Sequence, residues 1–208
     1  MAQFNISPSL EFLHPWINKP DTEFNENGLY HVDGLGEGPE VEALKKIITA
    51  AAEAALAEHT QEMKPGEAKK WSVYVPFEDE EDDEGNPTGR TKFTFKQNAK
   101  IKSAKEESGF KDVKIEIRDS KDKVVEVQVW SGTIGRIMFS MRPIVMVSSK
   151  QAGVRLDFAK VQIIKLKQGS ASSRGFGAVE GGFEAGVEDQ GFGSAPDSGS
   201  QDDTGGDY

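Results

Sequence analysis

The chain has 208 residues, 36% of them hydrophobic and 29% charged, with a formal charge of −10 and no cysteine. Such a composition describes one soluble domain plus a segment that need not fold, and it excludes disulfide scaffolds, thiolate zinc sites, iron–sulfur clusters and thiol nucleophiles. Only three histidines occur, His14, His31 and His59, far apart in the chain, so a His-built metal site lacks its ligands and neither metal nor cofactor is expected. No apolar run approaches the ~18 residues of a membrane span, and the opening MAQFNISPSLEF lacks the basic-then-apolar order of an export signal. A cytoplasmic protein is expected.

In chain order, the strand-like Leu29-Tyr30-His31-Val32 leads into Gly34-Leu35-Gly36-Glu37-Gly38. The glycines do not make a dinucleotide loop: the spacing is not G-x-G-x-x-G, Pro39 removes an N–H that would face phosphate, and no parallel βαβ pattern follows. From 39 to 60 one amphipathic helix is predicted, because Val41, Leu44, Ile48, Ala51 and Ala55 recur at +3 and +4. Pro39 suits its first turn, Glu40 and Glu42 complement the positive end of its dipole, and Lys64-Pro65-Gly66 closes the region. Next comes the unbroken acidic run Glu78 to Glu84, flanked by Gly85-Asn86-Pro87 and Gly89. Residues 78–90 are expected as an acidic loop between ordered pieces. The run is no EF-hand, since that register puts Thr91 where a bidentate Glu is needed.

Most of the remaining domain alternates with period 2, the mark of strands with one wet and one dry face. Phe93 and Phe95 alternate with Lys92 and Lys96, and Val113, Ile115 and Ile117 with Lys114, Glu116 and Arg118. Turn-forming residues at 119–123 then precede Val125, Val127 and Val129, which predicts a hairpin. Two further strands hold Ile137, Phe139 and Met141, then Val154, Leu156 and Phe158, with a phase slip near Ala159-Lys160 that reads as a bulge before Ile163-Ile164-Lys165-Leu166. At least five strands and one early helix favour a small closed barrel, since closure removes unpaired edges. The fold class expected is mainly β, an OB-fold-like antiparallel five-stranded Greek-key barrel with one amphipathic helix; a β-sandwich shares the same strand count.

Charge is segregated along this chain. Residues 169–208 hold eight acids against Arg174, a net of −7, and the run 78–84 holds another −7, so that out of −10 the remaining residues carry +4. The tail also takes 11 of the 22 glycines, with isolated Phe176, Phe183 and Phe192. Such a segment buries too little to offset its ordering entropy, so 169–208 is expected to be a disordered acidic C-terminal tail and 1–168 the domain.

Between Arg90 and Lys105 stand six bases, Arg90, Lys92, Lys96, Lys100, Lys102 and Lys105, and no acid. Lysines on alternate strand positions would line a groove that tracks phosphates, although the same pattern serves a solubilising face. Arg136 and Arg142, outward on a later strand, add to one candidate face. Trp130 has the wet parity of Glu126 and Gln128 and is either a base-stacking platform or a cover for the barrel end; Trp16, Tyr30, Trp71 and Tyr74 are equally ambiguous. With no P-loop, no G-x-S-x-G elbow and no nucleophile and base pair, no enzymatic apparatus is visible.

Several segments in order resemble the single-stranded DNA-binding protein family of short-tailed (podovirus) bacteriophages: Lys19-Pro20-Asp21, Gly28-Leu29-Tyr30-His31-Val32-Asp33, the helix, Pro76-Phe77 before the acidic turn, and Phe93-Thr94-Phe95-Lys96. Phe139-Ser140-Met141-Arg142-Pro143, Gly153-Val154-Arg155-Leu156 and an acidic tail closing on Tyr208 continue the series. The resemblance implies an OB-fold that coats single-stranded DNA without sequence specificity during phage DNA replication, recombination and repair, in the cytoplasm of the infected bacterial host. It implies a homodimer whose tail, through Asp202, Asp203, Asp207 and Tyr208, contacts the phage DNA polymerase and helicase–primase. Lys96 and Arg136 match basic DNA-facing positions of the family. Two family tyrosines are replaced, by Asn98 and Ile144, so that stacking is expected either to come from elsewhere or to be weaker. Lys92, Lys96, Lys100, Lys102, Trp130, Arg136 and Arg142 are therefore the expected DNA contacts. The rival expectation is an acidic-tailed structural or chaperone-like protein that captures basic partners and no nucleic acid; a weaker one is a metal-assisted nuclease using the acids at 78–84.

Overall fold

Alternating apolar and polar residues build most of the molecule, as the computed structural model shows for residues 3–168, Phe24 and Glu107 excepted. The expected tail, with Asp202, Asp203, Asp207 and Tyr208, lies outside these described residues. The chain begins with β1 (Phe4–Ile6), β2 (Leu10–Asp21) and β3 (Leu29–Gly36), then helix α1 (Pro39–Thr60) and the single turn α2 (Pro65–Ala68). Strands β4 (Ser72–Tyr74), β5 (Phe77–Glu81) and β6 (Pro87–Asn98) come next. A small hairpin of β7 (Lys100–Lys102) and β8 (Phe110–Asp112) precedes β9 (Glu116–Arg118), β10 (Ile134–Met146) and β11 (Gln151–Lys165).

Strands β2, β3, β6, β11 and β10 pair in that order, and β10 returns to β2 through Ile134 and Gly135, closing a five-stranded ring. The last two strands of the ring stand in reverse of their chain order, the Greek-key feature of an OB-type barrel. Closure decides for the barrel over the sandwich. Four of the ring's pairings are antiparallel, and only β6 with β11 runs parallel, at Leu156 opposite Phe95 and Asp157 opposite Lys96. At the seam a Cβ on Gly135 would sit 2.5 Å from the Gln162 carbonyl oxygen, so only glycine lets β10 approach both neighbours there.

Inward positions fill the ring with Phe12, Phe93, Phe95, Phe139 and Phe158, all fully buried, and Phe95 meets Phe139 edge-on at 5.3 Å. Helix α1 starts after Gly38, whose φ of 92° is open to glycine, and packs Val41, Leu44, Ile48, Ala52 and Ala55 against β10, β11 and β4. Ala51, expected in the stripe, is only partly buried, because Ala52 lies one full turn beyond Ile48. The expected bulge is present: Met138 pairs with Lys160 and Phe139 with Phe158, so Ala159 is the extra residue.

Two expectations need correction, and one strand was missed. The acidic run is no loop, for Glu78, Asp79, Glu80 and Glu81 belong to β5 and pair with β6, leaving only 82–86 as the turn. Repulsion among the acids is met by bases brought alongside: Lys45 bonds Asp79 at 2.7 Å, Lys92 bonds Glu78 at 2.6 Å, and Arg90 lies 3.9 Å from Glu80. The hairpin expected over Val113–Val129 forms only next to its turn, where Asp119 N–H donates to the Lys123 carbonyl, Val125 N–H donates to the Ile117 carbonyl and Arg118 bridges Val124, while β9 pairs parallel with β11. Beyond it the backbone is tied to a side chain, since Val129 N–H donates to Asn18 Oδ1 and Asn18 Nδ2 donates to the Val127 carbonyl. The long strand β2 was not anticipated. Pro15 and Pro20 lie in it and His14 has a positive φ of 46°, which shifts the alternation between Phe12 and Ile17.

Candidate nucleic-acid interface

The parity that sends Phe93 and Phe95 inward sends Lys92, Thr94, Lys96 and Asn98 to the outer face of β6. On β11 it turns Arg155 and Asp157 outward, and on β10 Ser140 and Arg142. Register then sets Lys96 beside Asp157, Asp157 beside Ser140, and Arg155 beside Arg142. Asp157 holds this cluster together: Oδ2 accepts from Arg142 Nε at 2.6 Å, Oδ1 accepts from Arg155 Nε, and Arg155 Nη1 donates to Asn98 Oδ1 at 3.1 Å. Planar guanidiniums are thereby fixed at the surface, with N–H groups to spare.

The β7–β8 hairpin stands across from the cluster, and between them lies a cavity of about 440 Å³. Its lining joins Lys100, Lys102, Ile101 and Phe110 of the hairpin to Asn98, Arg142 and Arg155, with Asn25 and Asn27 of the β2–β3 loop. Ile101 is 39% and Phe110 42% exposed, an apolar pair left uncovered on a lysine-bearing hairpin. Counting Lys96, five bases meet here against two acids, Asp157 and, across the hairpin from Lys100, Asp112. In OB barrels the face of the second and third strands and the first loop is where oligonucleotides lie, and β6 with the β2–β3 loop supplies those parts here.

Trp16 extends this face. Its register partner on β3 is His31, whose partner on β6 is Lys96. The Trp16 and His31 rings are 6.1 Å apart, and Lys19 Nζ lies 5.7 Å from the Trp16 ring.

Of the residues singled out from sequence, Lys100, Lys102 and Arg142 line this cavity, and Lys96 stands next to it, beside Asp157 in register. Lys92 does not. It is tied to Glu78 at the β5–β6 hairpin, and that carboxylate holds its ammonium pKa above the ordinary lysine value. Arg136 sits about 20 Å from Arg142 along β10, at ~3.4 Å per residue, by a second cavity of about 310 Å³ lined also by Arg118, Lys160, Ile6 and Met138. Arg118 and Lys160 are paired with Glu116, whereas Arg136 has no carboxylate partner among the described residues. Trp130 is exposed outside any strand and lines neither cavity. Sequence reading missed Arg155, which its position as the polar residue between Val154 and Leu156 could have flagged, and Phe110, which carries no periodic signal.

Among the described residues no group of three or more His, Asp or Glu is placed to hold a metal, and no helix is long and apolar enough to cross a membrane. The family model for the single-stranded DNA-binding protein of bacteriophage T7 matches residues 12–166. A search of curated proteins finds no match. Among solved structures, the crystal structure of gp2.5, a single-stranded DNA-binding protein encoded by bacteriophage T7, is similar at a TM-score of 0.68 with 22% identity, covering 89% of this chain and 100% of that one. The single-stranded DNA-binding protein from bacteriophage Enc34, solved in complex with single-stranded DNA, is similar at a TM-score of 0.53 with 12% identity, covering 79% of this chain and 88% of that one. These likenesses agree with the OB-type ring.

Proposed function

The chain belongs to the family of the single-stranded DNA-binding protein of bacteriophage T7, and from that membership we propose that it binds single-stranded DNA and coats it without reading a base order. The observation that carries this reading is the groove over β6, β10 and β11, where Lys100, Lys102, Arg142 and Arg155 line one cavity and Lys96 stands beside its Asp157 in register. A flexible backbone lays its phosphates against these bases. Phe110 and Trp16 offer faces for unstacked bases, at roughly 1–3 kcal/mol per stacked base, and a duplex keeps its bases out of reach of both. Coating needs no catalytic group. Arg136 extends the basic face toward the second cavity, so a strand that follows β10 meets both; Lys92 and Trp130 have no part in this path.

Within this reading the protein acts during phage DNA replication, recombination and repair in the cytoplasm of the infected host, as a homodimer. Its tail, through Asp202, Asp203, Asp207 and Tyr208, contacts the phage polymerase and helicase–primase. With a net of −7, the tail occupies the groove when DNA is absent and is released when DNA enters. Family membership supports these roles. The acidic scaffold reading is weakened because much of the run at 78–84 is engaged by Lys45, Arg90 and Lys92, and the same engagement weighs against a nuclease.

The test is a salt-titrated comparison of labelled single- and double-stranded oligonucleotides, with Mg²⁺ present. Intact single strands bound in preference to duplex are expected, with log affinity falling against log salt at a slope near −3.5 for about five phosphate contacts at ~0.7 each. Indifference to both oligonucleotides together with capture of basic proteins would favour the scaffold, and shortened strands an enzyme.

A further inference from the structure

We propose that the 440 Å³ cavity beneath the β7–β8 hairpin is a pocket for one unstacked base that favours thymine and guanine over cytosine and adenine. This rests on the DNA-binding reading above and adds a base bias to it.

The pocket's open hydrogen-bonding capacity consists mostly of donors. A guanidinium only donates, so Arg155 Nη1, 3.1 Å from the Asn98 side chain, must face its amide oxygen. The Asn98 Nδ2 group is thereby turned away from Arg155, and both its N–H groups lack a partner among the described residues. Arg142 spends Nε on Asp157 and keeps its other nitrogens, and Lys100 and Lys102 bring ammonium donors. The acceptors are largely used: both Asp157 oxygens receive a guanidinium N–H, and Asn25 Oδ1 receives the Asn27 backbone N–H at 3.0 Å. Gln97, which also lines the cavity, spends its Nε2 on the Asn98 carbonyl, so the side-chain amide oxygens left to offer are those of Gln97 and Asn27, two acceptors against the donors of Asn98, Arg142, Lys100 and Lys102.

Base edges divide along the same line. At pyrimidine C4 and purine C6, thymine and guanine carry a keto oxygen, whereas cytosine and adenine carry an amino group. For a base seated with its C4 or C6 substituent toward Asn98, a keto oxygen completes the Nδ2 donor, while an amino group sets N–H against N–H and leaves both unpaired unless the base turns another edge to the pocket. The exposed Phe110 ring at the rim gives the splayed base a face to stack on. The cavity lies within the ~300–1,000 Å³ usual for small-ligand clefts.

The experiment uses the full chain and competes labelled oligo-dT with oligo-dC of equal length at one salt concentration. Both are pyrimidine strands of equal charge, so the difference isolates the base edge. The expected result is oligo-dT binding about 3- to 10-fold more tightly, the worth of one hydrogen bond made rather than lost. Asn98→Ala should bring oligo-dT down to the level of oligo-dC. Asn98→Asp, which still receives Arg155 and offers an oxygen to an amino group, should turn the preference toward oligo-dC. Phe110→Ala should weaken both strands by the same factor. Equal binding of the two strands by the unaltered chain, or discrimination that survives Asn98→Ala in a protein with unchanged melting, overturns the pocket while leaving DNA binding in place. Binding of neither strand overturns both.

Discussion

Lys92 and Lys96 stand four residues apart on the same face of β6, and their surroundings separate them. Lys92 Nζ is 2.6 Å from Glu78, while the acid beside Lys96 in register, Asp157, is already taken by Arg142 and Arg155. Only the ammonium without a carboxylate partner exchanges counterions for phosphate, so Lys96→Ala is expected to lower the salt slope by about 0.7. Lys92→Ala should leave the slope where it was, which salt titration of the two variants reads directly. Alternation made the face of each lysine legible in the sequence. It could not reveal which acid folds over which base, because Glu78 reaches Lys92 only through the hairpin. Inward residues were the most legible of all, and Phe95→Ala is expected to cost about 3–5 kcal/mol in urea unfolding by removing the ring that meets Phe139.

Among the elements, the β5–β6 hairpin is where protonation matters. Its bond from Lys45, followed by that from the Thr91 hydroxyl, holds the Asp79 carboxyl below the usual range, and N–H groups of Asn86, then Glu84 and Gly85, do the same for Asp82. A carboxyl depressed in the folded state contributes stability above its unfolded pKa and loses it as pH falls through the folded one. Lys45 and Lys92 are raised by Asp79 and Glu78, so their contribution is present below the ordinary lysine value and is lost as pH rises through their folded values. The hairpin should therefore lose amide-exchange protection at both extremes, in acid as Asp79 and Asp82 protonate and in alkali as the two lysines discharge. The ring, closed by backbone pairing around buried phenylalanines, should keep its protection in both. Equal loss in hairpin and ring would show that these ion pairs are dispensable. From sequence this element looked like a loop because Gly85-Asn86-Pro87 and Gly89 flank the acidic run, and the bases that offset its charge come from α1 and β6. Strand β2 was hidden for a different reason, since its prolines and the positive φ of His14 break the period on which strand recognition depends.

For the whole molecule, ring closure was legible as a strand count and a bulge, but the ring's order was not, because long-range pairing such as Gly135 with Leu10 leaves no mark in local periodicity. Charge was legible as segregation: taking the tail's −7 from −10 leaves −3. Within that remainder three of the seven acids at 78–84 are paired with Lys45, Arg90 and Lys92 in the β5–β6 hairpin, away from the groove, so the surface around Lys96, Lys100, Lys102, Arg142 and Arg155 stays basic at short range despite an acidic chain. Screening over about 8 Å at physiological salt lets local charge dominate what a strand meets. On the proposed reading, the −7 of the tail competes with phosphate for this groove as a tethered anion, at an effective concentration independent of the protein concentration. Deleting 169–208 is expected to tighten single-strand binding most at low salt, with the gain shrinking as salt rises, and to abolish polymerase association. A deletion that leaves low-salt affinity unchanged would mean that the tail does not enter the groove, and a gain that persists at high salt would point to something other than its charge.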